Sequence, residues 1–190
     1  MRIMPVSDSP WAPTGFGTNT KNIAAIWADK KHTIGYGGCQ NPKHEQWKTP
    51  WPMGQDEKKV EFELLPIMHP GKEKFGEQSF DTWIQNFKPD LVFTHLDIQM
   101  FSYVVERMEP KQANIPLRND KGNFLTPKER KKMMDTMFKS LIKGPPWKLG
   151  SIIPIDGQPS IPKWIDIIKH VHYPVAMSRY GKAVLKEDFN

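Results

Sequence analysis

Four short strings in this 190-residue chain carry residues whose types and spacing suit chemistry. The first is Ser7-Asp8-Ser9-Pro10-Trp11-Ala12-Pro13-Thr14-Gly15-Phe16-Gly17-Thr18, where two glycines precede a helical pattern. Without a Cβ at Gly15 and Gly17, backbone amides can approach a ligand closely. A helix start behind them adds a positive dipole that suits a phosphate or a sugar hydroxyl. The pair lacks the third glycine of a dinucleotide fingerprint and lies too far past its strand for a tight Rossmann turn, so a plain turn is the competing reading. The second string, Thr94-His95-Leu96-Asp97, puts an imidazole and a carboxylate two apart at a strand end, where they could act as a base or bind hydroxyls. Asp97 competes as a helix cap. In the third, Asp156 stands between prolines in Pro154-Ile155-Asp156-Gly157-Gln158-Pro159, a rigid setting for hydrogen bonds to sugar hydroxyls or a simple Asp-Gly turn. The fourth, Met177-Ser178-Arg179-Tyr180-Gly181, offers Ser178 as a polar ligand contact or as the cap of a last helix.

Other chemistries find no footing. The single cysteine, Cys39, rules out an internal disulfide, fits a reducing compartment, and reads as a loop residue beside Gly37-Gly38. There is no P-loop, C-x-x-C, H-E-x-x-H or G-x-S-x-G string. His170 and His172 are poorly spaced for one helical face, so no metal site and no cofactor is expected. Net charge is +6, which favours anionic ligands: nucleotide diphosphates, phospholipid headgroups or nucleic acid. The basic run Lys128 to Lys132 reads as a solvated helix face, since no aromatic ladder accompanies it. No apolar run approaches the ~20 residues of a membrane span, and the N-terminus reaches Ser7-Asp8 too soon for a signal peptide. A soluble, cytoplasmic protein without a transmembrane segment is expected.

The elements that must position these strings alternate. Arg2 to Ser7 reads as a short buried strand weakened by Pro5. Thr18 is expected to cap a helix whose apolar positions are Ile23, Ala24, Ile26 and Trp27. His32 to Gly38 is a second strand. Residues 39–58, with Pro42, Pro50, Pro52, Trp47 and Trp51, have no period and read as a long loop. Lys59 to Leu65 alternates as a half-exposed strand, and Glu77 to Phe87 is a helix with Phe80, Trp83, Ile84 and Phe87 inward. Leu91 to Thr94 is a strand, followed by a helix capped by Asp97 and carrying Met100, Phe101, Val104, Val105 and Met108. Thr126-Pro127 starts a helix to about Ile142. Ile152 to Ile155 is a strand, Pro162 to His170 a helix, Pro174 to Met177 a strand, and Ser178 opens the final helix. Strand–helix alternation predicts one α/β, Rossmann-like domain over residues 1–190, its mostly parallel sheet covered by helices on both faces, with a possible helical insertion at 109–146.

In their order and spacing, four pieces resemble the N-terminal domain of GT-B glycosyltransferases, family 4 in particular. They are the opening strand with Thr14-Gly15-Phe16-Gly17, then Pro89-Asp90-Leu91-Val92-Phe93, Ile153-Pro154-Ile155-Asp156-Gly157, and Val175-Ala176-Met177-Ser178-Arg179-Tyr180-Gly181-Lys182. The resemblance covers nearly the whole chain except 39–75 and 109–146. It implies the acceptor-binding half of a retaining, metal-independent enzyme that moves a sugar from a nucleotide sugar to a sugar, glycolipid or glycoprotein acceptor. Gly15, Phe16, Gly17 and Thr18 would lie beside the donor diphosphate, with Asp97 and Ser178 as further binding residues and His95 and Asp156 as catalytic ones. The paired glutamates of the second domain are not in this sequence, so a C-terminal domain or partner chain would be needed and the isolated chain would be inactive. Trp11, Trp47 and Trp51 are the expected apolar surface for that partner, or for a homodimer. The alternatives are a nucleotide- or glycan-binding module without catalysis and a nucleic-acid-binding protein.

Overall fold

The structure, a computed structural model, describes residues 1–39, 47–53, 56–65, 74–108, 126–129, 131–132, 145–155 and 162–188. Two compact units emerge from the packing: Met1–Val105 with Trp147–Asn190, and Glu106–Pro146.

The larger unit is a Rossmann-like α/β domain. Its strands are β1 (Arg2–Asp8), β2 (Thr33–Cys39), β3 (Trp47–Met53), β4 (Asp56–Leu65), β5 (Leu91–His95), β6 (Lys148–Ile153) and β7 (Tyr173–Ala176). They form one sheet in the order β3-β4-β2-β1-β5-β6-β7. Every pair from β4 to β7 is parallel, and β3 runs antiparallel to β4 at the edge. The helices are α1 (Gly15–Asp29), α2 (Phe80–Phe87), α3 (Ser102–Glu106), α4 (Pro162–Ile168) and α5 (Arg179–Asp188), with a 3-10 turn at Ile98–Met100.

Residue alternation along β2 decides which helix covers which face. Ile34 and Tyr36 join the core cluster of Ile3, Ala24, Ala25, Phe62, Leu64 and Phe93 under α1. Gly35 and Gly37 face the other way, against α2. A Cβ on Gly35 would stand 2.5 Å from the Phe87 ring, and one on Gly37 2.8 Å from the Trp83 ring. The aromatics of α2 thus rest on bare β2 backbone, and the two helices lie on opposite faces.

Several sequence expectations shift. The strand expected at Lys59–Leu65 is present as β4, and it pairs antiparallel with β3, which lies where Pro50 and Pro52 were read as part of a long loop over 39–58. Proline is tolerated because β3 is an edge strand that needs only one side of its backbone. The helix expected after Asp97 is broken into the 3-10 turn and the short α3. The strand expected at Ile152–Ile155 spans Lys148–Ile153. On α1, Ala24 and Ala25 are buried while Ile26 is exposed, so small residues face the sheet.

In the smaller unit, residues 127–129 and 131–132 are helical. Thr126 starts them with a reciprocal cap: Glu129 N–H donates to Thr126 Oγ1 (3.3 Å), and Thr126 N–H donates to Glu129 Oε2 (2.8 Å). Hydrogen bonds from Thr126 hold the Glu129 carboxyl below its usual range.

Candidate functional site

Strand order reverses between β1 and β5. From β1 the chain winds through β2 and β4 to one side, and from β5 through β6 and β7 to the other. In open α/β sheets such a switch point leaves a crevice beyond the strand C-termini, because the loops after the two strands diverge. Ser7 pairs in register with His95 across this boundary.

The loop after β1 is tied down by the start of α1. Thr14 is the N-cap, not Thr18 as expected: its Oγ1 accepts from Gly17 N–H (3.1 Å) and donates to Asp8 Oδ2 (2.7 Å). Thr18 lies exposed in the first helical turn, where its N–H donates to the Thr14 carbonyl. The correction has a packing cause. A Cβ at Gly17 would stand 2.5 Å from the Ser9 carbonyl oxygen, so the helix can begin under this loop only with glycine there. Gly15 is different: it is exposed, and a Cβ there would meet nothing within 4 Å. Phe16 is half-buried, its ring 5.1 Å from the His95 ring at 82°.

His95 ends β5 sealed from solvent, 1% exposed. Its Nδ1 lies 2.7 Å from Thr20 Oγ1 on α1. Thr20 Oγ1 donates to Ser7 Oγ (3.1 Å), and Ser7 Oγ donates to the His95 carbonyl (2.8 Å). Tyr36 adds a phenol that donates to the Asp8 carbonyl (2.9 Å), and burial keeps that phenol protonated far above its usual range. Among the described residues, His95 Nε2 is the one buried side-chain nitrogen or oxygen without a hydrogen-bond partner. Leaving such a group unsatisfied costs about 1–3 kcal/mol. Burial pushes the imidazole's pKa down, opposed in smaller measure by the Asp8 carboxylate.

The other expected site residues divide. Gly15, Phe16, Gly17 and Thr18 stand at the start of α1, and of these Phe16 lies against His95. Asp97 is half-buried at the head of the 3-10 turn and makes no side-chain cap, in contrast to the capping role expected of it. Ser178 Oγ accepts from Gly181 N–H (2.9 Å), which makes it the cap of α5 at the C-terminal end of β7. Asp156 lies outside the described residues. Cys39 is buried at the end of β2, its Sγ 3.0 Å from the Phe75 carbonyl. No cluster of three His, Cys, Asp or Glu side chains that could hold a metal occurs among the described residues. No helix among them is long and apolar enough to cross a membrane.

Thr20 and Tyr36 escaped the sequence reading, and Ser7 entered it only as the first residue of the glycine string, without a role of its own. One signal existed: Gly17, Thr20 and Ala24 recur at helical spacing on the buried side of α1, so a polar threonine sits in a stripe of small inward residues.

Neither protein-family models nor curated proteins match this chain. The arrangement itself sets what the site can do: a glycine-opened helix start can hold an anion, and beside it a neutral imidazole is buried with an unused ring nitrogen.

At the far edge of the sheet the surface changes character. A trough of about 950 Å³ runs along β7 between α4 and α5, with Ile168, Val175, Met177 and Leu185 in its lining. Lys169, Arg179, Lys182 and Lys186 also line it. Tyr173, Val175, Met177 and Tyr180 are 44–56% exposed. Three tryptophans, Trp11, Trp47 and Trp51, were the expected apolar surface. Trp11 packs against the core under α1, and the side chains of Trp47 and Trp51 lie outside the description.

Proposed function

We propose that this domain is the acceptor-side half of a GT-B glycosyltransferase, using a nucleotide sugar as donor. The observation that carries the reading is the pairing, at one switch point, of the Gly15–Gly17 helix start with the unpartnered His95 Nε2. A donor of this class carries two matching features. Its diphosphate suits the dipole of α1 at the exposed Gly15, and its sugar hydroxyls suit an imidazole nitrogen. The order of sequence strings that resembles family 4 supports the same reading.

Transfer needs donor and acceptor held together with the leaving diphosphate stabilised, and one Rossmann-like domain supplies part of that constellation. The β7 trough supports the need for a second domain or partner chain, since parallel strands are ordinarily covered on both faces. Its four cations would repel one another across a twofold axis, which disfavours a homodimer through this face. Binding without transfer is the second reading, favoured by a histidine that sits sealed rather than open to a reacting group.

Calorimetry on the purified chain tests the proposal. UDP-glucose and GDP-mannose are titrated against wild type and Gly15→Val. Binding of one of them, weakened tenfold or more by Gly15→Val with thermal stability unchanged, is the expected outcome. Equal binding by both proteins would sink it. So would tight, salt-sensitive binding of an oligonucleotide in place of the sugar nucleotides, which would favour the basic helix and nucleic acid.

A further inference from the structure

We infer that Thr20 and Ser7 lock His95 as its Nδ1–H tautomer, so that Nε2 presents a bare lone pair and the site there takes a hydrogen-bond donor, a hydroxyl, rather than an anion. The inference about the ligand rests on the function proposed above. The inference about the tautomer rests on proton counting alone.

Three contacts link the groups, and each hydroxyl has one proton to give. Ser7 Oγ lies 2.8 Å from the His95 carbonyl, which can only accept, so the serine proton goes there. Ser7 Oγ then accepts from Thr20, 3.1 Å away. The Thr20 proton is spent, and its 2.7 Å contact with Nδ1 must be filled from the imidazole side. The circuit closes as Nδ1–H to Thr20, Thr20 to Ser7, and Ser7 to the carbonyl of His95. The opposite tautomer would leave the Thr20–Ser7 contact without a proton and bury an unpaired Nε2–H. The Tyr36 phenol gives its own proton to the Asp8 carbonyl, and its oxygen, beside Ser7 and Thr20, adds only another acceptor, which increases the need for a proton from Nδ1.

The consequence is a polarity at the ligand side. A neutral imidazole with a bare Nε2 accepts. Phosphate oxygens at neutral pH also accept, and would have to draw a proton onto a ring whose burial disfavours charge. A sugar hydroxyl donates and fits. The diphosphate belongs instead at the glycine-opened start of α1, and the two subsites divide one ligand by hydrogen-bond polarity. Nε2 is sealed, and the half-buried Phe16 ring lies 5.1 Å from the imidazole, so a ligand reaches Nε2 only where the side chains around it, Phe16 among the candidates, give way. Thr20 and Ser7 are positioning residues; neither needs to touch the ligand.

Two-bond proton–nitrogen NMR on the nitrogen-15-labelled chain reads the tautomer directly. Wild type is expected to show His95 with Nδ1 protonated and Nε2 unprotonated near neutral pH. Thr20→Val, an isosteric change, is expected to abolish that signature, and Thr20→Ser to restore it. An Nε2–H tautomer in wild type, or one unchanged in Thr20→Val, overturns the lock, and the wild-type spectrum decides even if the valine variant fails to fold. UDP-glucose and GDP-mannose, with UDP, GDP and inorganic phosphate as controls, test the ligand. A shift of Nε2 by a sugar nucleotide that its parent diphosphate does not produce supports the hydroxyl. Protonation of Nε2 by inorganic phosphate overturns it. A locked tautomer in a chain that binds none of these compounds would refute the glycosyltransferase reading and leave the lock standing.

Discussion

The centre of the sheet and its β7 edge answer the same geometry in opposite ways. Along β1, Met4 and Val6 are fully buried, and so are Ser7 and His95 at the switch point. Along β7, Tyr173, Pro174 and Val175 are all exposed. Each region also holds a histidine whose pKa burial pushes down, His172 being lowered further by Lys148. His172 Nδ1 accepts a hydrogen bond from Leu149 N–H (3.2 Å), a structural contact between strand and turn at an exposed position. His95 has its Nδ1 held by the Thr20 hydroxyl and its Nε2 without a partner. The contrast teaches how to sort such features. A polar group buried without a partner points to a ligand, whereas apolar side chains left in water on a parallel strand point to a second polypeptide.

The comparison breaks first at the glycines. Gly17→Val should destabilise the domain by about 1–3 kcal/mol, because the new Cβ overlaps the Ser9 carbonyl and forces the β1 loop off α1. Urea denaturation measures it, and an unchanged midpoint would mean that the loop and helix start are not packed as described.

A smaller effect depends on pH. The folded-state pKa of His95 lies below its ordinary 6.5, so the unfolded chain takes up the proton first as pH falls. Its contribution to stability is therefore complete above 6.5 and is lost as pH drops through and below that value. The exposed His172 should contribute much less. Urea midpoints between pH 7.5 and 5 are expected to fall in wild type, and the slope is expected to be shallower in His95→Gln than in His172→Gln. Equal slopes in the two variants would erase the distinction between the regions.

The smallest effect on folding belongs to the edge. Val175→Asp should change stability by no more than about 0.5 kcal/mol, since its side chain already meets water. The same substitution should abolish association with whatever second domain restores transfer, measured by sedimentation of the mixture. A large loss of stability would place Val175 in the domain's own core.

Much of the architecture was legible in the residues. Leu91 to Phe93 is an uninterrupted apolar run after Pro89-Asp90, and the spacing of Phe80, Trp83 and Phe87 is that of a helix face, because burial against a sheet imposes those periods locally. The β3 strand was not legible, since Pro50 and Pro52 argue against a strand unless one knows that it lies at an edge. The cap was misplaced from Thr14 to Thr18 for a related reason. Gly15 and Gly17 read as loop by propensity, and the close approach of the Ser9 carbonyl that demands a glycine inside the helix is a contact between segments.

At the site the division is sharper. Residue types alone marked the glycines and His95 as candidates, because a missing Cβ and an imidazole are properties of single positions. The state of that imidazole depends on Ser7 and Thr20, which lie 88 and 75 residues away along the chain. No local pattern connects them. Parallel pairing of β1 with β5 and the packing of α1 across both bring the three together. Hydrogen-bond polarity acts only over contact distance, so it was the tertiary structure that decided which ring nitrogen is held and which has no partner.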